Sequence, residues 1–352
     1  MISLTPSTLG AQMSSASLVK NLQSDIAQFR EQSITGNKLD MAAEGPGQSA
    51  LLIGLRAQFS RIESDMRSLQ SFQSRADLKQ QAMQSVEGSL TGVLTIAATG
   101  LDDLNETMRV SLQTAAKGAL DELIAAFNVS DGQRFLFSGI ATDRAPMQNF
   151  NQINPGTGFS PAQVIENAIA ATPPVDAASA TALLASIDQI FADTAAAGTN
   201  FEETFFNGAP TGSPPSQARI SDQVIVDFGP EGNDQALRDI IKGLAVFASF
   251  DPAALADDAF PVLMKGAFDS LSSGLDGLRS GAARLGEQQR LAQSLEDRNG
   301  ALKTILNERV VNLETVDPFE TQVRLQALIG QLETSFTLTA RIANLSLVNF
   351  IR

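Results

Sequence analysis

The side chains that could do chemistry in this chain are carboxylates, because its 352 residues include neither Cys nor His. That excludes disulfides, zinc sites built on those residues, and Cys or His nucleophile–base pairs. Three adjacent acid pairs remain: Asp102/Asp103, Glu202/Glu203 and Asp257/Asp258. Paired carboxylates can do acid–base work or hold a hard cation. These are sequence neighbours flanked by small or polar residues, so they read as solvated surface. The run Gly229-Pro-Glu-Gly-Asn-Asp offers oxygens to Ca²⁺ but lacks the alternating ligands and distal Glu of a calcium loop. It reads as a turn leading to a helix N-cap at Asn233 or Asp234. Gly36-Asn-Lys has no second glycine to cradle a phosphate, and Asn128-Val-Ser130 matches a glycosylation sequon by chance. No enzyme, cofactor or metal is expected.

Composition narrows the partners as well. A net charge of -14 repels a phosphate backbone, and without Trp or Tyr there is no aromatic platform beyond Phe, so no nucleic acid is expected. Met1 to Lys20 shows no basic start followed by an apolar run, and no stretch of about 18 uninterrupted apolar residues exists. Neither a cleaved signal peptide nor membrane insertion is therefore expected. The 43% hydrophobic content is ample for a core.

What those residues ride on is a set of helices. The clearest run is Leu55, Ile62, Leu69, Ala76, Met83, Leu90, Ala97 and Leu104, eight apolar positions seven apart. Phe59, Met66, Leu94, Leu101 and Met108 form a second row whose middle is Gln73, Gln80 and Glu87. That polar patch implies a helix whose partner changes along its length. A helix over 50–128 would span about 110 Å, with a break possible at Gly100. After an insert at 146–261 the seam returns as Met264, Leu271, Leu278, Leu285 and Ala292, beside Phe268, Leu275 and Ala282, and runs to Asp317-Pro318, where the Pro kinks or restarts the helix.

Between the two runs the composition changes. Arg134-Phe-Leu-Phe-Ser-Gly alternates, with Asp131-Gly132 before it, and is expected to form a strand or hairpin arm. From Arg144 to Arg219 no Lys or Arg intervenes, and eight of the 14 prolines fall there. This insert is expected to hold a helix over 178–194, a strand through Ile220, Val224, Val226 and Phe228, and a helix through Leu237–Phe247.

The two ends carry their own stripes. Residues 1–17 are Ser/Thr-rich and expected to be disordered or folded only on assembly. Leu18, Leu22, Ile26 and Phe29 then make a short amphipathic helix, closed near Gly36 and Asn37, both suited to positive φ. Asp40 to Ser49 is expected to be a loop. Leu325, Leu328, Ile329, Leu332, Phe336, Ile342, Ala343, Leu347 and Phe350 line one stripe, with Ile329, Phe336, Ala343 and Phe350 seven apart. The out-and-back order makes the two terminal helices partners. A helix of about 16 residues buries too little to hold such a pair alone, so further copies are expected to complete the contact. The expected fold is mainly α: an elongated rod of long antiparallel helices, paired N- and C-terminal coiled-coil helices, a β-hairpin arm and an inserted α+β outer domain. Its expected domains are 1–40 with 317–352, 41–145 with 262–316, and 146–261. The expected assembly interface is Leu18, Leu22, Ile26, Phe29, Ile329, Leu332, Phe336, Ala343, Leu347 and Phe350.

Three stretches carry a family likeness: Gln32-Ser-Ile-Thr-Gly-Asn-Lys-Leu, Arg134-Phe-Leu-Phe-Ser-Gly-Ile-Ala-Thr-Asp, and Thr339-Ala-Arg-Ile-Ala-Asn-Leu-Ser-Leu-Val-Asn-Phe. With them the chain resembles the flagellin superfamily of axial flagellar proteins, and by its Phe-Leu-Phe-Ser-Gly arm the hook–filament junction branch (hook-associated protein 3) more than filament flagellins. The resemblance implies a structural protein of the extracellular flagellum, exported unfolded through the flagellar type III apparatus. It implies a homo-oligomeric ring between a hook-associated protein and flagellin, and an export chaperone. A filament flagellin subunit and a cytosolic coiled-coil scaffold are the alternatives.

Overall fold

The heptad rows mark where the core forms, with one shift of phase. The computed structural model describes residues 8–40, 46–100, 106–221, 223–250 and 255–350, with side chains described throughout except at 8–12, 46, 100 and 342–350. Its helices are α1 (Thr8–Thr35), α2 (Pro46–Gly100), α3 (Glu106–Phe127), α4 (Pro161–Ala171), α5 (Ala177–Phe191), α6 (Phe201–Thr204), α7 (Gln235–Ser249), α8 (Phe260–Glu314) and α9 (Pro318–Phe350). Strands β1 (Gln217–Arg219) and β2 (Ile225–Asp227) form one antiparallel hairpin. The chain divides into two units, 1–64 with 299–352 and 65–298.

In the second unit, Leu69, Ala76, Met83, Leu90 and Ala97 of α2 are all buried, as the spacing of seven predicts. Their companion row is not the expected one. Phe72, Lys79, Val86 and Val93 are the buried residues, three positions after each first-row residue rather than four. The expected middle of that row, Gln73, Gln80 and Glu87, faces α8 instead. Gln73 Nε2 donates to Gln293 Oε1 (3.2 Å), Gln80 Nε2 to the Ala282 carbonyl (2.7 Å) and Arg279 Nε to Glu87 Oε1 (2.7 Å). Apolar and polar seams thus meet different partners, because one residue turns a helix face by about 100°.

The helical run expected over 50–128, with a break allowed at Gly100, is two helices. The α2 helix ends at Gly100, and α3 runs back along it, where Glu122 accepts hydrogen bonds from Ser85 Oγ (2.5 Å) and Ser89 Oγ. At 55 residues α2 is itself about 80 Å long. The buried rows of α2, α3, α7 and α8 join in one hydrophobic cluster reaching from Leu69 to Ala292. Gly274 lets α7 and α8 approach closely: a Cβ there would lie 2.7 Å from the Ala236 carbonyl oxygen.

No hairpin arm forms at 134–139. The stretch makes only an isolated bridge, Ser130 to Phe135, and turns at Gly139 with φ +64. Alternation predicts a strand only when a second strand lies alongside. Here Phe137 instead plugs into the core, its ring centroid 4.3 Å from that of Phe127. Lys79 lies under the same plug. Its Nζ donates to the Pro230 carbonyl (2.7 Å) and sits 4.7 Å from the Phe137 ring centroid. Burial pushes this ammonium down to about 8, against the opposing pull of Glu231, Asp234 and Asp227. The same burial pushes the Glu231 and Asp234 carboxyls up. The 229–234 run is a turn, as expected, with Asp234 as the N-cap residue of α7. Asp234 Oδ2 accepts from the Glu231 amide (3.1 Å), and its side chain makes no cap bond to the helix. The Gly232 amide ties the turn to the Phe137 carbonyl (2.7 Å).

Glu203, Asp257 and Asp258 are exposed, as the solvated-surface reading expects, while Glu202 is half-buried, and three of these acids also make local bonds. Glu202 accepts from the Thr211 amide and pairs with Arg238, and Glu203 accepts from the Gly198 amide (2.6 Å). Asp257 pairs with Arg109 (2.7 Å). Asp102 and Asp103 lie outside the described residues. Asn128 uses its amide at both ends, donating to Met147 O and accepting from Met147 N, so it is a fold residue.

Candidate functional site

The first unit is where the sequence placed the interface, and its packing differs in kind from the second. Among its residues whose side chains are described, only Leu22, Leu52, Leu55 and Leu306 are buried apolar side chains. Of the twenty-one exposed large apolar side chains among the described residues, fourteen belong to this unit, although it contains about a third of the chain. A folded chain that leaves so much apolar area in water has a face awaiting cover.

Backbone geometry at the two connectors positions that face. The turn after α1 closes at Gly36, whose φ of +72 suits glycine, and the Gly36 amide donates to the Gln32 carbonyl (2.8 Å). Asn37 does not share the positive φ. This turn is strapped to the one between α8 and α9: Val316 N donates to Gly36 O (2.9 Å) and Lys38 N to Glu314 O (2.7 Å). Asp317 caps α9, accepting from Phe319 N (2.8 Å), and Pro318 stands at the first helical position, where its missing N–H costs nothing. The helix therefore restarts there rather than kinking. Lys303 pairs with Glu63 (2.9 Å), and Arg56 with Glu314, between α2 and α8.

Strapped together in this way, α1 and α9 lie against each other. The α1 helix begins at Thr8, so residues 8–17 are helical, and its 28 residues exceed the expected 16; residues 1–7 lie outside the described residues. Within it the Ser17 hydroxyl donates back to the Ser14 carbonyl (2.9 Å). The α2 helix likewise starts at Pro46, inside the loop expected at 40–49.

The nominated residues divide by position. Leu22 is buried, Ile26, Phe29 and Leu332 are half-buried, and Leu18, Ile329 and Phe336 are exposed. Ala343, Leu347 and Phe350 lie outside the residues whose side chains are described. One feature was missed in the sequence. Leu18 and Leu22 of α1, with Ala327, Gly330, Gln331, Thr334, Ser335 and Leu338 of α9, line an open groove of about 650 Å³. Its signal was the small residues Ala327, Gly330 and Thr334 at spacings of three and four, which leave room between helices. No cluster of three metal-capable side chains occurs among the described residues, and no described helix is long and apolar enough to cross a membrane.

Residues 269–351 match the family model of the bacterial flagellin C-terminal helical region. No curated protein matches the chain. Among solved structures, a putative flagellar hook-associated protein from Vibrio parahaemolyticus is 14% identical, covers 77% of this chain and 99% of its own, and superposes with a TM-score of 0.51. FlgL from Bacillus cereus is 15% identical, covers 76% of this chain and 100% of its own, and has a TM-score of 0.44.

Proposed function

We propose that this chain is a non-enzymatic axial component of the bacterial flagellum, forming the junction ring between hook and filament on which flagellin assembles. The observation that carries this reading is the contrast between a cored second unit and a first unit whose apolar side chains stand in water. The match of 269–351 to the flagellin C-terminal helical region covers most of α8 and all of the exposed α9. The fold shared with a hook-associated protein supports the same placement. On this reading the α1–α9 pair, with Leu18, Leu22, Ile26, Phe29, Ile329, Leu332, Phe336, Ala343, Leu347 and Phe350, is the assembly interface, and the 146–261 insert faces outward. The partners are further copies, a hook-associated protein on one side, flagellin on the other, and an export chaperone that covers the apolar termini before assembly. Export uses the flagellar apparatus, and the working location is outside the cell.

A filament flagellin subunit is the second reading, because the matched model describes flagellin's own C-terminal region. Deleting the gene separates the two. The junction reading expects intact hooks, no filaments, and flagellin lost to the medium. Full filaments on the deletion strain would overturn it, and loss of all filament protein from cells and medium would favour the flagellin reading.

A further inference from the structure

The charge of the chain is not spread along it. The first unit carries ten Lys and Arg against ten Asp and Glu and is neutral, while the second, with fifteen against twenty-nine, holds the whole net charge of -14. Within the second unit the excess is uneven again. The 146–261 insert has fourteen acids and three bases, a net of -11, which leaves -3 for the other 236 residues. Folding then draws the bases inward. Arg238 is buried, with Nη1 on the Phe191 carbonyl (2.7 Å) and Asp193 and Nη2 on Glu202 (3.3 Å). Lys242 is half-buried and pairs with Asp188 (2.9 Å) and Asp239 (3.5 Å). Of the three bases only Arg219 stands exposed, whereas Glu166, Asp176, Glu203, Asp227, Asp257 and Asp258 all do. The outer surface of the insert is therefore anionic.

That distribution meets a difficulty posed by the first unit. A neutral surface that leaves fourteen large apolar side chains exposed clumps as soon as copies touch. A net charge far from zero opposes this, because like-charged copies repel before they reach contact. We infer that the insert is a charge guard on assembly: the inserts of approaching copies repel, so copies join through the first unit only at an ionic strength that screens them. This rests on the assembly reading above and adds its control. The repulsion reaches about 30 Å at 10 mM salt but only about 8 Å at 150 mM. An apolar contact needs no counter-ion, since it is driven by the area removed from water. Salt in this range therefore acts on the insert and hardly at all on the first unit, which has no net charge to screen. The guard also explains why the cations of the insert are withdrawn: an exposed Arg or Lys would give a second copy's carboxylates something to hold.

The test is sedimentation equilibrium of the full-length chain in NaCl at about 10 and about 150 mM, the two ends of that screening range. One variant places lysine at four exposed insert positions, Glu166→Lys, Ala185→Lys, Gln189→Lys and Asp258→Lys, which takes the insert from -11 to -5. A control keeps the charge with Glu166→Asp, Ala185→Ser, Gln189→Asn and Asp258→Glu. Wild type should associate on the order of tenfold more strongly at the higher salt. The lysine variant at low salt should match wild type at high salt and change little between them, and the control should follow wild type. The guard is overturned by a wild type that associates equally at both salts or at neither. It is equally overturned by a lysine variant that keeps the wild-type slope, or whose association falls with salt as new ion pairs would make it. If the deletion strain shows hooks without filaments while the lysine variant keeps the wild-type slope, the guard fails and the flagellar reading stands. If the lysine variant loses the slope and deletion leaves filaments intact, the flagellar reading fails and the guard stands.

Discussion

The buried ammonium of Lys79 gives a prediction that composition makes unusually clean. Lys79 is fully buried, with Nζ on the Pro230 carbonyl and against the Phe137 ring. Desolvation pushes it down to about 8 from 10.5, offset only in part by Glu231, Asp234 and Asp227. A lysine lowered in the folded state holds fewer protons than the unfolded chain between those two values. Stability on its account is therefore lowest below pH 8 and rises as the pH is raised toward 10.5. From pH 7 to pH 10 the rise is about 2–3 kcal/mol, at about 1.4 kcal/mol per pKa unit. The chain has no Cys, His or Tyr, so apart from the other lysines and the α-amino group nothing else titrates in that window. Denaturant unfolding followed by far-ultraviolet circular dichroism, repeated across that range, reads the slope. Lys79→Met keeps the side-chain length and should flatten it, whatever its effect on stability at pH 7. A wild-type profile that is flat or falling, or a Lys79→Met profile that keeps the rise, would show that Lys79 is not a desolvated ammonium in this core.

Three further expectations concern the two units. Phe336→Asp changes a half-exposed side chain, so it should alter the stability of a single copy by less than about 0.5 kcal/mol while abolishing assembled flagella in cells; normal swimming by the mutant would refute the interface. Limited proteolysis should cut α1 and α9 well before any site in 65–298, because the first unit holds four of the buried apolar side chains and the second the rest; equal resistance at both ends would refute this. Gly274→Ala puts a methyl carbon 2.7 Å from the Ala236 carbonyl oxygen, and should destabilise the second unit by about 1–3 kcal/mol in the same denaturant assay.

Much was legible without coordinates because a helical repeat is a local property. Leu69 to Ala97 and Met264 to Ala292 each line one face by spacing alone, and each of those rows is buried. The break at Gly100, the restart at Pro318, the positive φ of Gly36, and helices over Ala177–Phe191 and Gln235–Ser249 follow from equally local rules. The α4 helix was not anticipated although its signal is equally local: the Ser160 hydroxyl accepts from Gln163 N (3.1 Å) and the Gln163 side-chain oxygen accepts from Ser160 N (3.0 Å), a capping box contained in four residues.

What spacing could not settle was which partner each face meets. Placing the second row at Gln73, Gln80 and Glu87 rather than at Phe72, Lys79 and Val86 is a shift of one residue, and only α3, α7 and α8 closing around α2 decide it. The alternating Phe-Leu-Phe needed a neighbouring strand to become a hairpin, and the core offered Phe137 a cavity instead. At the candidate site the apolar stripe of α9 was visible in sequence from end to end. Its division into a half-buried edge, a groove and an exposed edge appears only once α1 lies along it, because period assigns residues to a face and contact decides which part of that face is left in water.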